Sequence, residues 1–356
     1  MSVPLDQPTN VRDGEQLDTE KLGEYLRAHL PDASGSLTIE QFPSGYSNLT
    51  YLLRLGDQEL VLRRPPFGNR VKSAHDMGRE YNVLSKLSGV YDLVPRPLVY
   101  CDDEQVLGAP FYVMQRCRGV ILRSPKQMDC DLDAATLRQL GESFVDTLAA
   151  LHAIDYEAAG LGDLGRPEGF IERQVAGWTK RYQQARTHDF PEMESIAGWL
   201  ADNLPPSSGT SLIHNDFKFD NLVLDPRDLT KIIAVLDWEM CTLGDPLLDL
   251  GVTISYWVEA YDEPALKAFI AGPTNLPGNL TRREIVQRYA EVTGRDTSGI
   301  LFHYCFGLFK LAVIVQQIYY RYAQGHTRDP RFAGLDQAVE SLGIAATHAV
   351  DRGELP

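Results

Sequence analysis

Apolar positions along the chain change their spacing several times. Between Asp18 and Leu30 they fall at Leu22, Tyr25, Leu26 and Leu30, the spacing of one helix face, behind a capping Asp18 and ahead of Pro31. Three short strand-like runs follow, Leu37 to Phe42, Leu49 to Leu55 and Glu59 to Arg64. Gly56-Asp57 between the last two predicts a hairpin, and the first two are joined by the small-residue loop Pro43-Ser44-Gly45-Tyr46-Ser47-Asn48. Ser73 to Leu87 returns to helical spacing at Met77, Tyr81, Leu84 and Leu87, with Ser73 and Asp76 as a capping box. Two more strands, Leu98 to Cys101 and Phe111 to Gln115, flank a turn at Gly108-Ala109-Pro110. After Arg116 helical spacing dominates: Ala134 to His152, Phe170 to Arg186, Met193 to Asn203, Arg282 to Thr293 and Leu335 to Val350. A β island, Ser211 to Val235, turns at Asp225-Pro226. The pattern is α+β: a small antiparallel β lobe with one long helix over 1–116, then a larger, mainly helical lobe over 117–356, joined near 114–119.

Composition removes several classes of function. The 356 residues carry 34 Lys+Arg against 49 Asp+Glu, a net charge of −15, so binding to nucleic acid or to an anionic membrane surface is not expected. At 44% hydrophobic residues a chain this long can bury a large core without cross-links. Its five cysteines are scattered with no Cys-x-x-Cys pair, which indicates neither a zinc knuckle nor a disulfide framework. Met1 to Glu15 has no apolar core, so no secretory signal is expected and the reading is cytoplasmic. Ile300 to Tyr320 is long and apolar, yet His303, Lys310, Gln316 and Gln317 interrupt it, and a buried core helix is expected over a membrane span.

The chemistry concentrates in the β island. His214-x-Asp216-x4-Asn221 lies between apolar runs, and a second apolar strand, Ile232 to Leu236, ends in Asp237. From the residue counts, His-x-Asp-x4-Asn should arise by chance only about 0.02 times in this chain. A carboxylate beside hard oxygen donors at strand ends suits phosphoryl transfer. One carboxylate serves the acceptor hydroxyl, and oxygen ligands hold Mg²⁺ on the phosphates.

These motifs, with Leu236-Asp237-Trp238-Glu239, resemble the catalytic and metal-binding motifs of the aminoglycoside phosphotransferase-like family, relatives of the protein kinases. The run from Leu236 to Asp249 is most similar to the branch that includes phosphotransferase-like domains fused to acyl-CoA dehydrogenases. The kinase-like fold accounts for the 356 residues, so no dehydrogenase domain is expected.

The resemblance covers residues 20–340 and implies a bilobal protein-kinase-like fold, with a catalytic loop at 212–221 and a metal-bearing strand end at 232–239. It implies Asp216 as the catalytic aspartate, Asn221 and Asp237 as Mg²⁺ ligands, and His214 as a residue that holds the loop. Asp249 is either a buried brace or a charge at a helix start. Glu239 replaces the kinase glycine, and its relation to metal stays open.

In the small lobe the resemblance implies that Gly45, Ser47 and Asn48, with Ser44, cover phosphates through backbone N–H groups. Arg63 stands where the family has a phosphate-binding lysine, a departure that keeps the charge and changes the geometry. Glu80 matches the glutamate that pairs with that cation, and Gln115 and Cys117 lie on the hinge strand facing adenine. Arg64, Arg70, Lys72 and Arg79 are candidates for a basic surface. His152 reads as a packed or capping histidine, Asp102-Asp103-Glu104 as a solvated turn, and Tyr319 to Tyr322 as core and rim.

The function so implied is transfer of a γ-phosphoryl group from ATP, or another nucleoside triphosphate, with Mg²⁺, to a hydroxyl of a small molecule. A hydroxyacyl-CoA or another metabolic alcohol is the class suggested. A nucleotide-binding pseudokinase and a metal hydrolase built on His214, Asp216 and Asp237 are the competing readings. Arg63 is the only support for the first, and the second lacks further metal ligands.

Overall fold

In a computed structural model, residues 5–31, 33–43, 48–67, 76–123, 132–269, 272–327 and 329–356 are described. Helix α1 (Thr19–His29) is capped by the Asp18 side chain and buries Leu22 and Leu26. Strands β1 (Leu37–Gln41), β2 (Leu49–Leu55) and β3 (Gln58–Arg64) follow, then helix α2 (Met77–Leu87), strand β4 (Pro97–Cys101), a short helix α3 (Glu104–Leu107) and strand β5 (Phe111–Gln115). All pairings are antiparallel, in the order β1-β2-β3-β5-β4.

The period-2 alternation of strands divides the side chains between the two faces of this sheet. Leu60, Leu62, Phe111 and Val113 pack with Leu22 and Leu26 of α1. Val61, Tyr112 and Met114 point the other way, into the main core with Met77, Val83 and Leu84 of α2. Arg63 shares the face of Val61, and Arg64 faces α1. Adjacent arginines therefore have opposite surroundings.

The Asp76 side chain accepts a hydrogen bond from Arg79 N–H, so α2 begins at Met77 rather than at Ser73, and Ser73 lies outside the described residues. The segment expected to be a solvated turn at Asp102-Asp103-Glu104 instead starts a helix, with Asp103 capping α3. In the linker, Val120 and Leu224 exchange both backbone hydrogen bonds. A Cβ on Gly119 would stand 2.4 Å from Leu224 O, so only glycine lets the linker lie this close.

Beyond the linker come α4 (Ala134–His152), α5 (Phe170–Ala185), α6 (Pro191–Asp202), β6 (Ser211–Ile213), β7 (Leu222–Asp225), β8 (Asp228–Val235) and β9 (Thr242–Gly244). Helices α7 (Pro246–Ser255), α8 (Pro264–Phe269), α9 (Arg282–Thr293), α10 (Ile300–Ala323) and α11 (Leu335–Arg352) complete the chain. Strands β6 and β9 pair, as do β7 and β8, so the loop 214–221 is held at both ends by short sheets.

Every residue of α7 is buried, so the helix shows no amphipathic period and cannot be read from hydrophobic spacing. Helix α10 passes the length and hydropathy test for a membrane span, but 83% of its apolar window is buried inside the protein, against α5, α6, α7 and α11. A Cβ on Gly307 would come within 2.5 Å of Gly251 O, and this missing atom allows α7 and α10 to cross closely.

Candidate active site

The loop between β6 and β7 is built around two carboxylates. Asp216 receives one donor on each oxygen: Lys218 Nζ at 3.0 Å on Oδ1 and Asn221 Nδ2 at 2.9 Å on Oδ2. The same Asn221 amide nitrogen also donates to Asp216 O at 2.8 Å, which fixes the turn between the two residues. Burial lowers the pKa of Lys218, but Asp216, Tyr256 and Asp220 outweigh it and hold the ammonium well above its ordinary value. A cation and an amide thus orient the Asp216 carboxylate while leaving it open to a further proton donor.

Asp249, on α7, is fully buried and accepts the backbone N–H groups of His214 (2.8 Å) and Asn215 (2.7 Å). It also meets His152 Nε2 at 3.0 Å, while His152 Nδ1 contacts the Tyr289 hydroxyl at 2.7 Å. Asp249 is therefore the brace, and the charge that caps α7 is Asp245. Burial raises the Asp249 pKa, but the hydrogen bond from His152 and the loop donors outweigh it, and the carboxyl sits below its ordinary range.

Asn215 adopts φ 65°, a left-handed conformation held by three hydrogen bonds. Its N–H goes to Asp249, its Nδ2 to Met240 O at 3.0 Å, and its carbonyl receives Lys310 Nζ at 2.8 Å. Lys310 comes from α10 and is itself buried.

His214 uses both ring nitrogens inside the protein. Asp216 N–H donates to Nδ1 at 3.3 Å, so Nε2 carries the proton and donates to Leu236 O at 3.0 Å. Burial pushes the His214 pKa below its ordinary value, consistent with this neutral tautomer. A histidine with both nitrogens committed cannot ligate metal, which removes a ligand from the hydrolase reading.

Asp237 follows β8 and is the other non-glycine residue with positive φ, 67°, among the described residues. Leu236 N–H donates to Asn221 O at 2.7 Å, tying the strand end to the loop. Across the cleft, Arg63 is 8% exposed and meets three carboxylates: Glu80 Oε1 at 3.3 Å, Asp237 Oδ1 at 3.0 Å and Glu239 Oε2 at 3.7 Å. Burial opposes its charge, but Glu80 and Asp237 hold the guanidinium firmly cationic. Asp237 is raised by burial, yet Arg63 and its hydrogen bond bring it below the ordinary value. Glu80 is pushed up by burial, against the pull of Arg63. Asn48 Nδ2 donates to Glu239 at 2.6 Å, so the β1–β2 loop reaches the second half of the chain at the same point. Gly45 and Ser47, with Ser44, lie outside the described residues.

On the hinge strand, Gln115 N–H is committed to Arg96 O at 2.8 Å. Cys117, beyond the strand, is half-buried and makes no backbone hydrogen bond among the described residues. The expected basic surface is not formed by Arg64 and Arg79. Arg64 is buried on the α1 face, donating to Leu107 O and stacking on Phe67. Arg79 donates to the carbonyls of Glu239 and Cys241 and so links α2 to the metal-motif loop. Arg70 and Lys72 lie outside the described residues.

Lys218 and Lys310 are site residues that motif reasoning missed. For Lys310 a signal existed, a lysine inside an otherwise apolar run.

The sequence matches the phosphotransferase enzyme family over residues 38–285. It is 33% identical over 348 residues to mouse acyl-CoA dehydrogenase family member 10, covering 97% of this chain and 32% of that one. To rat acyl-CoA dehydrogenase family member 11 it is 36% identical over 320 residues, 87% of this chain and 40% of that one. The chain therefore spans only about a third to two-fifths of these relatives. A solved Ralstonia eutropha structure, provisionally described as an aminoglycoside phosphotransferase, is 30% identical with a TM-score of 0.80, covering 95% of this chain and 99% of that one. Choline kinase from Cryptosporidium parvum, at 13% identity and a TM-score of 0.64 over 95% of this chain and 98% of that one, shares the fold. A protein-kinase-like architecture, the loop motif in place and the match over most of its length together show that this chain belongs to the phosphotransferase enzyme family.

Proposed function

We propose that this protein is an ATP- and Mg²⁺-dependent kinase that phosphorylates an alcohol group of a small molecule. The observation that carries the reading is the meeting of Asp216, Asn221 and Asp237 at strand ends opposite the buried Arg63–Glu80 pair. Asp216 orients the acceptor hydroxyl and takes its proton as that oxygen bonds to the γ-phosphorus and ADP leaves. Arg63, held by Glu80, contacts the nucleotide phosphates, and the backbones around Asn48 and Cys117 bound the nucleotide.

Asn221 and Asp237 fit a hard cation. The Asn221 amide nitrogen is used up on Asp216, which leaves its Oδ1, and Asp237 is held as a carboxylate. Mg²⁺, when bound there, would neutralise charge on the phosphates. The relatives' acyl-CoA dehydrogenase names favour a hydroxyacyl-CoA or another metabolic alcohol as acceptor.

Thermal-shift titration with nucleotides, with and without Mg²⁺, followed by a coupled assay of ADP release on candidate alcohols, tests the reading. Mg²⁺-dependent stabilisation by ATP with acceptor-dependent ADP release is expected; no nucleotide response would overturn it. A pseudokinase is the second reading, favoured by the ion pair that occupies Asp237 Oδ1 with Arg63. Nucleotide binding without turnover on any acceptor would support it.

Asp237→Ala and Asn221→Ala are expected to remove most of the Mg²⁺ dependence of nucleotide binding, because each loses an oxygen ligand. Calorimetric titration of ATP with and without Mg²⁺ reads this directly, and unchanged metal dependence in both variants would make these residues structural. Arg63→Lys keeps the charge but can no longer fork among three carboxylates, so the nucleotide Kd should rise only about 3- to 10-fold. In a cycle with Glu80→Gln the two changes should be less than additive, measured by the same titration. Full additivity would show that Glu80 does not hold Arg63 for the nucleotide.

A further inference from the structure

A cavity of about 390 Å³ lies in the small lobe, between the start of α1, helix α3 and the end of β3. Arg64 lines it and is itself only 2% exposed. Its Nε–H donates to Pro65 O and an Nη1–H to Leu107 O, both at 3.1 Å, and the Phe67 ring lies 3.7 Å from the guanidinium carbon. A guanidinium carries five N–H groups, so the remaining three, both on Nη2 among them, have no acceptor among the described residues.

Arg64 also forms no ion pair among the described residues, whereas Arg63 beside it meets three carboxylates. Burial pushes the Arg64 pKa down, and only Tyr51 opposes the shift. An arginine stays ionised even so, and a charge taken out of water without a counter-ion is costly. Two carbonyls and one ring offset part of that cost. The N–H groups left over border a space large enough for a small organic molecule.

The rest of the lining sets the class of occupant. Val106 and the Phe67 ring give the cavity apolar wall, which suits a carbon chain. Lys21 adds a second cation, but Asp18 and Glu104 add two carboxylates. Asp18 is partly committed, since it caps the Lys21 N–H and lies 4.0 Å from Lys21 Nζ. Carboxylates at the rim repel a dianion more strongly than a single negative charge, so they disfavour a phosphate.

We propose that this cavity binds a small-molecule monocarboxylate, whose oxygens accept the free N–H groups of Arg64 while its carbon chain lies along Val106 and Phe67. The inference does not rest on the kinase reading, because Arg64 and Arg63 stand on opposite faces of β3 and share no partner.

Calorimetric titration of the full chain with hexanoate, hexanamide and hexyl phosphate tests the site. Hexanoate should bind about 10- to 100-fold more tightly than the uncharged amide, the scale of a charge-assisted Arg contact, and more tightly than the phosphate. In Arg64→Gln, checked for folding by urea unfolding, the preference for the carboxylate should vanish. Crystals of the parent soaked in 6-bromohexanoate supply a measurement that needs no variant: anomalous scattering should place the bromine between α1 and α3. No binding of hexanoate, equal affinity for the amide, tighter binding of the phosphate, a preference that survives in Arg64→Gln, or bromine only at another site would each overturn the proposal. Should Arg64→Gln fail to fold, the position of the bromine decides.

Discussion

Replacing Asp216 by Asn is expected to lower kcat for phosphoryl transfer by about 10²- to 10⁴-fold, the contribution of a positioned base, with little change in nucleotide Kd. The substitution keeps the side chain's size and removes its charge and its capacity to take a proton. The asparagine keeps one acceptor oxygen for Lys218 or Asn221, and Asn221 Nδ2 also donates to the backbone carbonyl at this position, so the turn retains a bond that does not depend on the carboxylate. The measurement is coupled ADP release on a verified alcohol, paired with calorimetry for nucleotide. A variant that turns over like the parent would end the assignment of Asp216 as the base. A variant that also loses nucleotide binding would show the residue to be structural instead.

Asp249→Ala is expected to destabilise the protein by about 3–5 kcal/mol, the range for removing one partner of a buried charged cluster. The carboxylate accepts two backbone N–H groups and meets His152, and an alanine would leave all three donors buried without a partner. Urea unfolding at pH 7 measures the loss, and a change below about 1 kcal/mol would show that the loop does not depend on this brace. Asp249→Asn retains an acceptor and should lose less.

Its pH dependence has a definite sign. The folded pKa of Asp249 lies below its ordinary value of 3.8, so its stabilising contribution is complete above that value and is lost as pH falls toward the folded one. The stability difference between the parent and Asp249→Asn should therefore narrow below pH 3.8 and stay constant at higher pH. A difference unchanged in acid would mean that the carboxylate is not charged in the folded protein.

Local patterns carried much of the architecture. Short apolar runs bounded by turns in β2, β3 and β5 and the three-four spacing of α1, α4 and α9 are properties of neighbouring residues, so these elements are legible with bounds within a residue or so. The motif at His214, Asp216 and Asn221 is legible for the same reason, since a tight loop with fixed spacing must be contiguous in sequence. Helix α7 is not legible, because a helix buried on every side has no polar face to mark its period. The start of α2 is not legible either, because two capping residues three apart are equivalent until one side chain accepts Arg79 N–H.

The tertiary structure decided what depends on contacts between distant residues. Adjacent Arg63 and Arg64 are alike as letters, and only the face of β3 that meets α2 makes the first a cleft residue and the second a core one. Lys310 and Asp249 lie 95 and 35 residues from their partners in the catalytic loop, His152 lies 97 from Asp249, and no spacing rule joins them. Their role follows from desolvation. Inside a core, a charged or polar atom is tolerated where another chain segment supplies its partner, so these pairings arise only when the helices pack.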